Sequence, residues 1–151
     1  MILPDVNPLI YAFRTDAPHH VVSRRWLTSV LSGDGAFGVS PVALAAVVRI
    51  TTNRSAFPDP SRPEEAFRFC DYLRAHPNCQ IIEPGERHWE IFKRLCIATN
   101  TRGRRVTDVW YAALAIEWGC EWITFDRDFA RFPGLKWQLP ASAEGRASSP
   151  L

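Results

Sequence analysis

Four aspartates carry the chemical interest of this sequence: Asp5, Asp108, Asp126 and Asp128. Each sits where an apolar run meets a polar one. Asp5 follows Ile2-Leu3-Pro4. Asp108 opens a helical stretch just after Arg102-Gly103-Arg104-Arg105, and Asp126 and Asp128 follow the run Glu121 to Phe125. Three or four carboxylates gathered in one cleft repel one another unless a hard cation neutralises them. An all-oxygen donor set selects Mg²⁺ or Mn²⁺ over zinc. Taken singly, each acid has a structural use. Asp5 and the Asp126/Asp128 pair serve as turn residues, and Asp108 as a first-turn acid favoured by the helix dipole. Asp5 fits that use least, because an acid directly after a buried strand is poorly placed for packing. The four together favour a site.

The elements that must position these acids alternate between short apolar runs and longer helical stretches. Ile2 to Asp5 reads as a first strand, followed by a helix with Asn7 as its N-cap and Pro8 at the first helical position. A second helix spans about Pro18 to Leu31. Ala36 to Val39 is strand two, and Ser40-Pro41 repeats the cap-plus-proline device for a helix through Thr51. Asn53 to Pro63, with three prolines, reads as a loop, and Glu64 to Ala75 as a helix. Gln80 to Ile82 is strand three. The helix from about Glu86 to Thr99 is expected to turn Trp89, Phe92, Leu95 and Cys96 inward. A basic loop then leads to Thr107 and a helix through Trp118, with Glu121 to Phe125 as strand four and Lys136 to Leu139 as strand five.

Strands alternating with helices imply an α/β fold, a mostly parallel sheet covered on both faces. The C-terminal strand ends of such a sheet share one rim, and ligands bind there where the strand order reverses. The acids converge on that rim only if strands one and four are neighbours. Residues 1–140 make a single domain, and the small, polar run Ala141 to Leu151 a flexible C-terminal tail.

Composition narrows the class of function. The chain has 151 residues, 46% hydrophobic and 23% charged, values that exclude a disordered or fibrous protein. No apolar run is long enough for a membrane span, and Met1 to Asp5 lacks the basic start of a signal peptide. Four cysteines without a CxxC pair argue against a disulfide scaffold or a zinc site. A cytoplasmic location is expected. Only Lys93 and Lys136 are lysines, so sixteen of the eighteen Lys and Arg residues are arginine. A GC-rich genome accounts for that bias more readily than phosphate recognition, where a guanidinium fork binds two oxygens at once, and the bias alone decides nothing.

The sequence resembles the PIN domain, and within it the VapC ribonuclease toxins of bacterial toxin–antitoxin pairs. The resemblance is carried by Leu3-Pro4-Asp5-Val6-Asn7-Pro8-Leu9-Ile10-Tyr11-Ala12, by Val106-Thr107-Asp108 with Ala112-Ala113-Leu114-Ala115 behind it, and by Thr124-Phe125-Asp126-Arg127-Asp128-Phe129, followed by Phe132-Pro133-Gly134-Leu135. It covers about residues 1–140 and implies a single PIN-like domain whose parallel five-stranded sheet has the order 3-2-1-4-5, with helices on both faces. It implies Asp5, Asp108 and Asp126 as Mg²⁺ ligands, with Mn²⁺ able to substitute. Asp128 becomes a fourth acid, bound directly or through water, and Asn7 and Thr124 groups that orient the ligands. The implied chemistry is metal-assisted hydrolysis of RNA phosphodiester bonds, leaving a 5′-phosphate and a 3′-hydroxyl. The implied partners are an RNA substrate, a cognate VapB-type antitoxin whose C-terminal segment wraps the toxin, and a second copy in a homodimer.

One position departs from the pattern. Relatives place a glutamate five residues beyond a proline like Pro41; here that residue is Ala46, and no acid occurs between Asp34 and Asp59. A PIN-fold protein that binds RNA or its antitoxin without cutting is therefore the rival reading. Aspartate-based phosphatases fit less well, since they need an acid where Asn7 stands, as do phosphoreceiver domains, since strand three ends at Ile82-Glu83 rather than at an aspartate. Arg102, Arg104 and Arg105 are candidates to hold an RNA backbone, with Arg49 and Arg54 behind them; a solvated basic face explains them equally. His19, His20, His76 and His88 form no partner pattern.

Overall fold

The computed structural model describes residues 1–141 of the chain. Five parallel strands form one sheet in the order β3-β2-β1-β4-β5: β1 Ile2–Pro4, β2 Phe37–Val39, β3 Cys79–Ile81, β4 Glu121–Ile123 and β5 Trp137–Gln138. Ile2 is in register with Phe37 on one side and Glu121 on the other, so the first strand lies between the second and the fourth. The expected order holds, and the strand-order reversal falls at β1 and β4.

Among the described residues six α-helices cover the sheet: α1 Val6–Phe13, α2 His20–Ser32, α3 Pro41–Thr51, α4 Pro63–Arg74, α5 His88–Thr99 and α6 Val106–Trp118. Successive strand residues point to opposite faces, and the core divides accordingly. Trp122 and Leu3 pack with α5 and α6 around Leu95, Val109 and Leu114. Ile123, Phe37 and Val39 pack with α1 to α4 around Leu9, Trp26, Leu44, Val47 and Leu73. Between Phe37 and Val39 the sheet needs glycine, because a Cβ at Gly38 would lie 2.6 Å from Ile82 Cγ1 and 3.3 Å from Leu3 Cδ1.

Three expectations are corrected. The N-cap of α1 is Asp5, whose Oδ1 accepts from the Val6 backbone N–H at 2.7 Å, not Asn7. Pro8 is thus the third helical residue, still within the first turn, where a missing N–H breaks no helical bond. Trp89 faces solvent, at 65% exposure; Leu95 is buried as expected and Phe92 and Cys96 pack partly buried against the core, with His88 and Ile91 buried beside them. The cause is a helix that starts at His88, whose imidazole is held by a hydrogen bond between Nε2 and the Trp110 carbonyl oxygen at 3.0 Å. All strands but β3, which is shifted by one residue, are also shorter than expected; β4 stops at Ile123, which releases Thr124 and Phe125 to turn at the rim. Ser40 behaves as expected, capping α3 through Oγ and the Ala43 N–H at 3.4 Å. No helix among the described residues is long and apolar enough to cross a membrane. Of the expected tail, everything from residue 142 onward lies outside the described residues.

Candidate active site

The pairing of β1 with β4 builds the site. The Asp5 N–H continues the ladder by donating to the Ile123 carbonyl at 2.9 Å, which fixes Asp5 on the C-terminal rim beside Thr124. The Thr124 hydroxyl donates to Asp5 Oδ2 at 2.7 Å and accepts from the Asp126 N–H at 3.0 Å. Asn7 spans the same two segments: its Oδ1 accepts from the Phe125 N–H at 3.1 Å, and its amide nitrogen lies 3.4 Å from Asp5 Oδ2 and 3.5 Å from Thr124 Oγ1. Asn7 and Thr124 thus link Asp5 to the Thr124–Asp126 segment. Asp126 caps the 3₁₀ turn Arg127–Arg131, Oδ1 accepting from the Asp128 N–H at 2.9 Å. Asp108 enters from the first turn of α6.

These groups line a cleft of about 430 Å³ whose walls include Asp5, Asn7, Asp108 and Asp126 together with Ala46, Arg49 and Tyr111. Position 46 lines the cleft, as the resemblance implies. Asp128 is not among the lining residues; it is exposed, with Oδ2 at 3.3 Å from an Arg105 guanidinium nitrogen. Arg102 turns to Asn100 Oδ1 at 3.3 Å, and none of Arg102, Arg104 and Arg105 lines the cleft.

Burial, then the charges of Asp108 and Asp126, push the Asp5 carboxyl up to about 6, against hydrogen bonds from Thr124 and Val6 that favour the anion. Asp108 is raised as well, by burial and then by Asp126, with Arg131 opposing. The Arg131 guanidinium lies 3.5 Å from Asp108 Oδ2, too long for a hydrogen bond, so it acts as a neighbouring charge. Among the described residues no three His, Cys, Asp or Glu side chains stand close enough to hold an ion as they are. Arg131 and Arg105 stand beside Asp108 and Asp128, at 3.5 and 3.3 Å. The donor chemistry fits a hard divalent cation, since the cleft offers three carboxylates, one of them the buried Asp5, whose ionised form burial and the neighbouring acids disfavour and a cation would favour.

Sequence reasoning passed over Tyr111 and Arg131 and left Arg49 undecided. The signal for two of them was helical spacing: Tyr111 is three residues beyond Asp108, and Arg49 three beyond Ala46.

Sheet order and rim carboxylates together define a class. The PIN domain family matches residues 2–135. VapC ribonuclease Mb2897 of Mycobacterium bovis is 36% identical over 144 residues, covering 95% of this chain and 98% of that one. Ribonuclease VapC25 of Mycobacterium tuberculosis is 37% identical over 136 residues, covering 90% and 96%. The structure of VapBC2 from Rickettsia felis bound to a DNA fragment from their promoter superposes with a TM-score of 0.68 at 17% identity, covering 92% of this chain and 98% of that one. The chain belongs to the PIN-domain family, among its VapC ribonucleases.

Proposed function

We propose that the chain is a divalent-cation-dependent endoribonuclease, the toxin of a toxin–antitoxin pair. The observation that carries the reading is the buried Asp5 sharing one cleft with Asp108 and Asp126; the ribonuclease names of its relatives support it. Asp5, Asp108 and Asp126 would hold the cation, of the magnesium or manganese kind. When bound, that ion supplies the positive charge and the activated water that phosphodiester hydrolysis needs. The chain's own contribution is preorganisation. Thr124 and the Val6 N–H fix both oxygens of Asp5, and Asn7 ties β1 to the Phe125 turn. Asp126 has one oxygen committed to its cap, so the other is available to a ligand.

The antitoxin partnership rests on the likeness to VapBC2 and on a second, larger groove of about 750 Å³. Phe13, Leu27, Leu31, Phe69 and Tyr72 line it, with Arg24, Arg62 and Arg68 among its polar residues. An amphipathic segment with acidic flanks is the occupant that chemistry selects. The homodimer is carried by exposed Trp89 and Ile97 on α5.

One observation favours the rival, non-cutting reading: Ala46 brings no carboxylate to the cleft it lines. The deciding experiment is cleavage of labelled RNA with Mg²⁺, with chelator, and with an Asp5→Ala control. Cleavage that needs Mg²⁺ and is lost in the control supports the nuclease; RNA bound but left intact by the wild-type chain supports the rival.

A further inference from the structure

The three acids of the cleft accept hydrogen bonds and carry negative charge, so by themselves they repel a phosphodiester. Two other lining residues have the opposite chemistry. Arg49 lies on the face of α3 that also bears Ala46, and Tyr111 on the face of α6 that also bears Asp108. The two converge. The charge of Arg49 is felt at the Tyr111 hydroxyl, as are those of Asp5 and Asp108. Arg49 makes no ion pair among the described residues, unlike Arg14, Arg62, Arg105 and Arg131. The phenol is buried at 5% exposure, and burial pushes its ionisation up to about 12, so it keeps its proton and stays a donor.

The alanine at position 46 matters here. A glutamate one helical turn before Arg49 would stand at the i,i+3 spacing that pairs opposite charges. With Ala46 that partner is gone, and the guanidinium fork is left open toward the cleft. We propose that Arg49 and Tyr111 form the phosphate-oxygen site of the cleft, binding the non-bridging oxygens of the scissile phosphodiester while the carboxylates act on its other side. The assignment rests on the ribonuclease reading and names the substrate-holding residues of that same site. A planar fork suits two phosphate oxygens at once, which a lysine ammonium cannot reproduce.

The test is binding of a fluorescent single-stranded RNA to the full chain in chelator, where nothing is cut, across a series of salt concentrations. Arg49→Gln is expected to weaken binding roughly tenfold and to reduce the slope of log K against log salt by about 0.7, the loss of one phosphate contact to a single strand. Tyr111→Phe removes only a neutral donor, so affinity falls with the slope unchanged. Arg94→Gln, an exposed arginine on α5 away from the cleft, leaves both as in the wild type. Arg49→Lys keeps the slope, yet with Mg²⁺ its kcat falls at least tenfold. If Arg49→Gln matches the wild type or Arg94→Gln in affinity and slope, the assignment is overturned. Should Tyr111→Phe fail to fold, the Arg49 series decides alone. Wild-type cleavage with unaffected Arg49 and Tyr111 variants sinks this assignment but not the nuclease. Wild-type binding without cleavage, weakened in Arg49→Gln, sinks the nuclease and with it the scissile bond, while Arg49 stands as a phosphate contact of an RNA-binding cleft. A wild-type chain that neither binds nor cuts RNA overturns both.

Discussion

Asp5 is an acid buried where its ionised form is disfavoured, and the consequences have a definite sign. Its carboxyl binds a proton more tightly in the folded chain than the ordinary 3.8, holding it to about 6. Without a cation, the stability linked to this proton is therefore complete below about pH 4 and is lost as pH rises through 6. That tighter hold on the proton corresponds to roughly 3 kcal/mol. Asp5→Asn, which keeps the cap to Val6, should raise the metal-free melting temperature at pH 7.5 and close the gap toward pH 4. A gap independent of pH would show that Asp5 is not the group at fault. Position 46 gives the converse experiment. Ala46→Glu adds a carboxylate to the cleft, and isothermal titration should show Mn²⁺ binding tightened by on the order of 1–3 kcal/mol, the contribution of one charge-assisted ligand. No gain in affinity would mean that another group already completes the shell.

The β1 and β4 segments place the site, and β2 supports them from behind. Gly38 allows Leu3 and Ile82 to close over the middle of the sheet next to β1. Gly38→Ala forces its methyl into Ile82, and overpacking of this kind costs about 1–3 kcal/mol. Chemical denaturation should register that loss, and RNA cleavage per folded molecule should survive it, because no cleft residue is displaced. A neutral Gly38→Ala would mean that Ile82, on a loop after the edge strand, yields freely. The 3₁₀ turn from Arg127 to Arg131 works differently: its cap occupies one oxygen of Asp126 and aims Arg131 at Asp108, so a short element with one buried side chain, Phe129, sets the charge balance of the cleft.

Across the whole molecule, cation binding to the native state alone should raise the melting temperature by mass action. Mg²⁺ or Mn²⁺ titration followed by differential scanning fluorimetry is the measurement, and Asp108→Asn should remove most of the rise; an undiminished rise would place the ion elsewhere. The groove between α1, α2 and α4 lies apart from the cleft and shares no lining residue with it. Tyr72→Asp, at an exposed position of that groove, should weaken antitoxin binding at least tenfold while leaving Mg²⁺-dependent cleavage intact. Cleavage lost together with binding would show the two surfaces to be one. The element order, the Ser40 cap and the position of Asp5 at the end of the first strand were legible in the residues themselves. These follow from local rules: period and capping. The tertiary structure decided what those rules leave open. It placed β1 against β4, without which Asp5 and Asp126 are strangers 121 residues apart. It turned Asp128 to Arg105, put Trp89 in water, and brought Arg49 and Tyr111 from two helices to one cleft. Such long-range choices depend on which surfaces bury best against each other, and no stretch of sequence contains both partners.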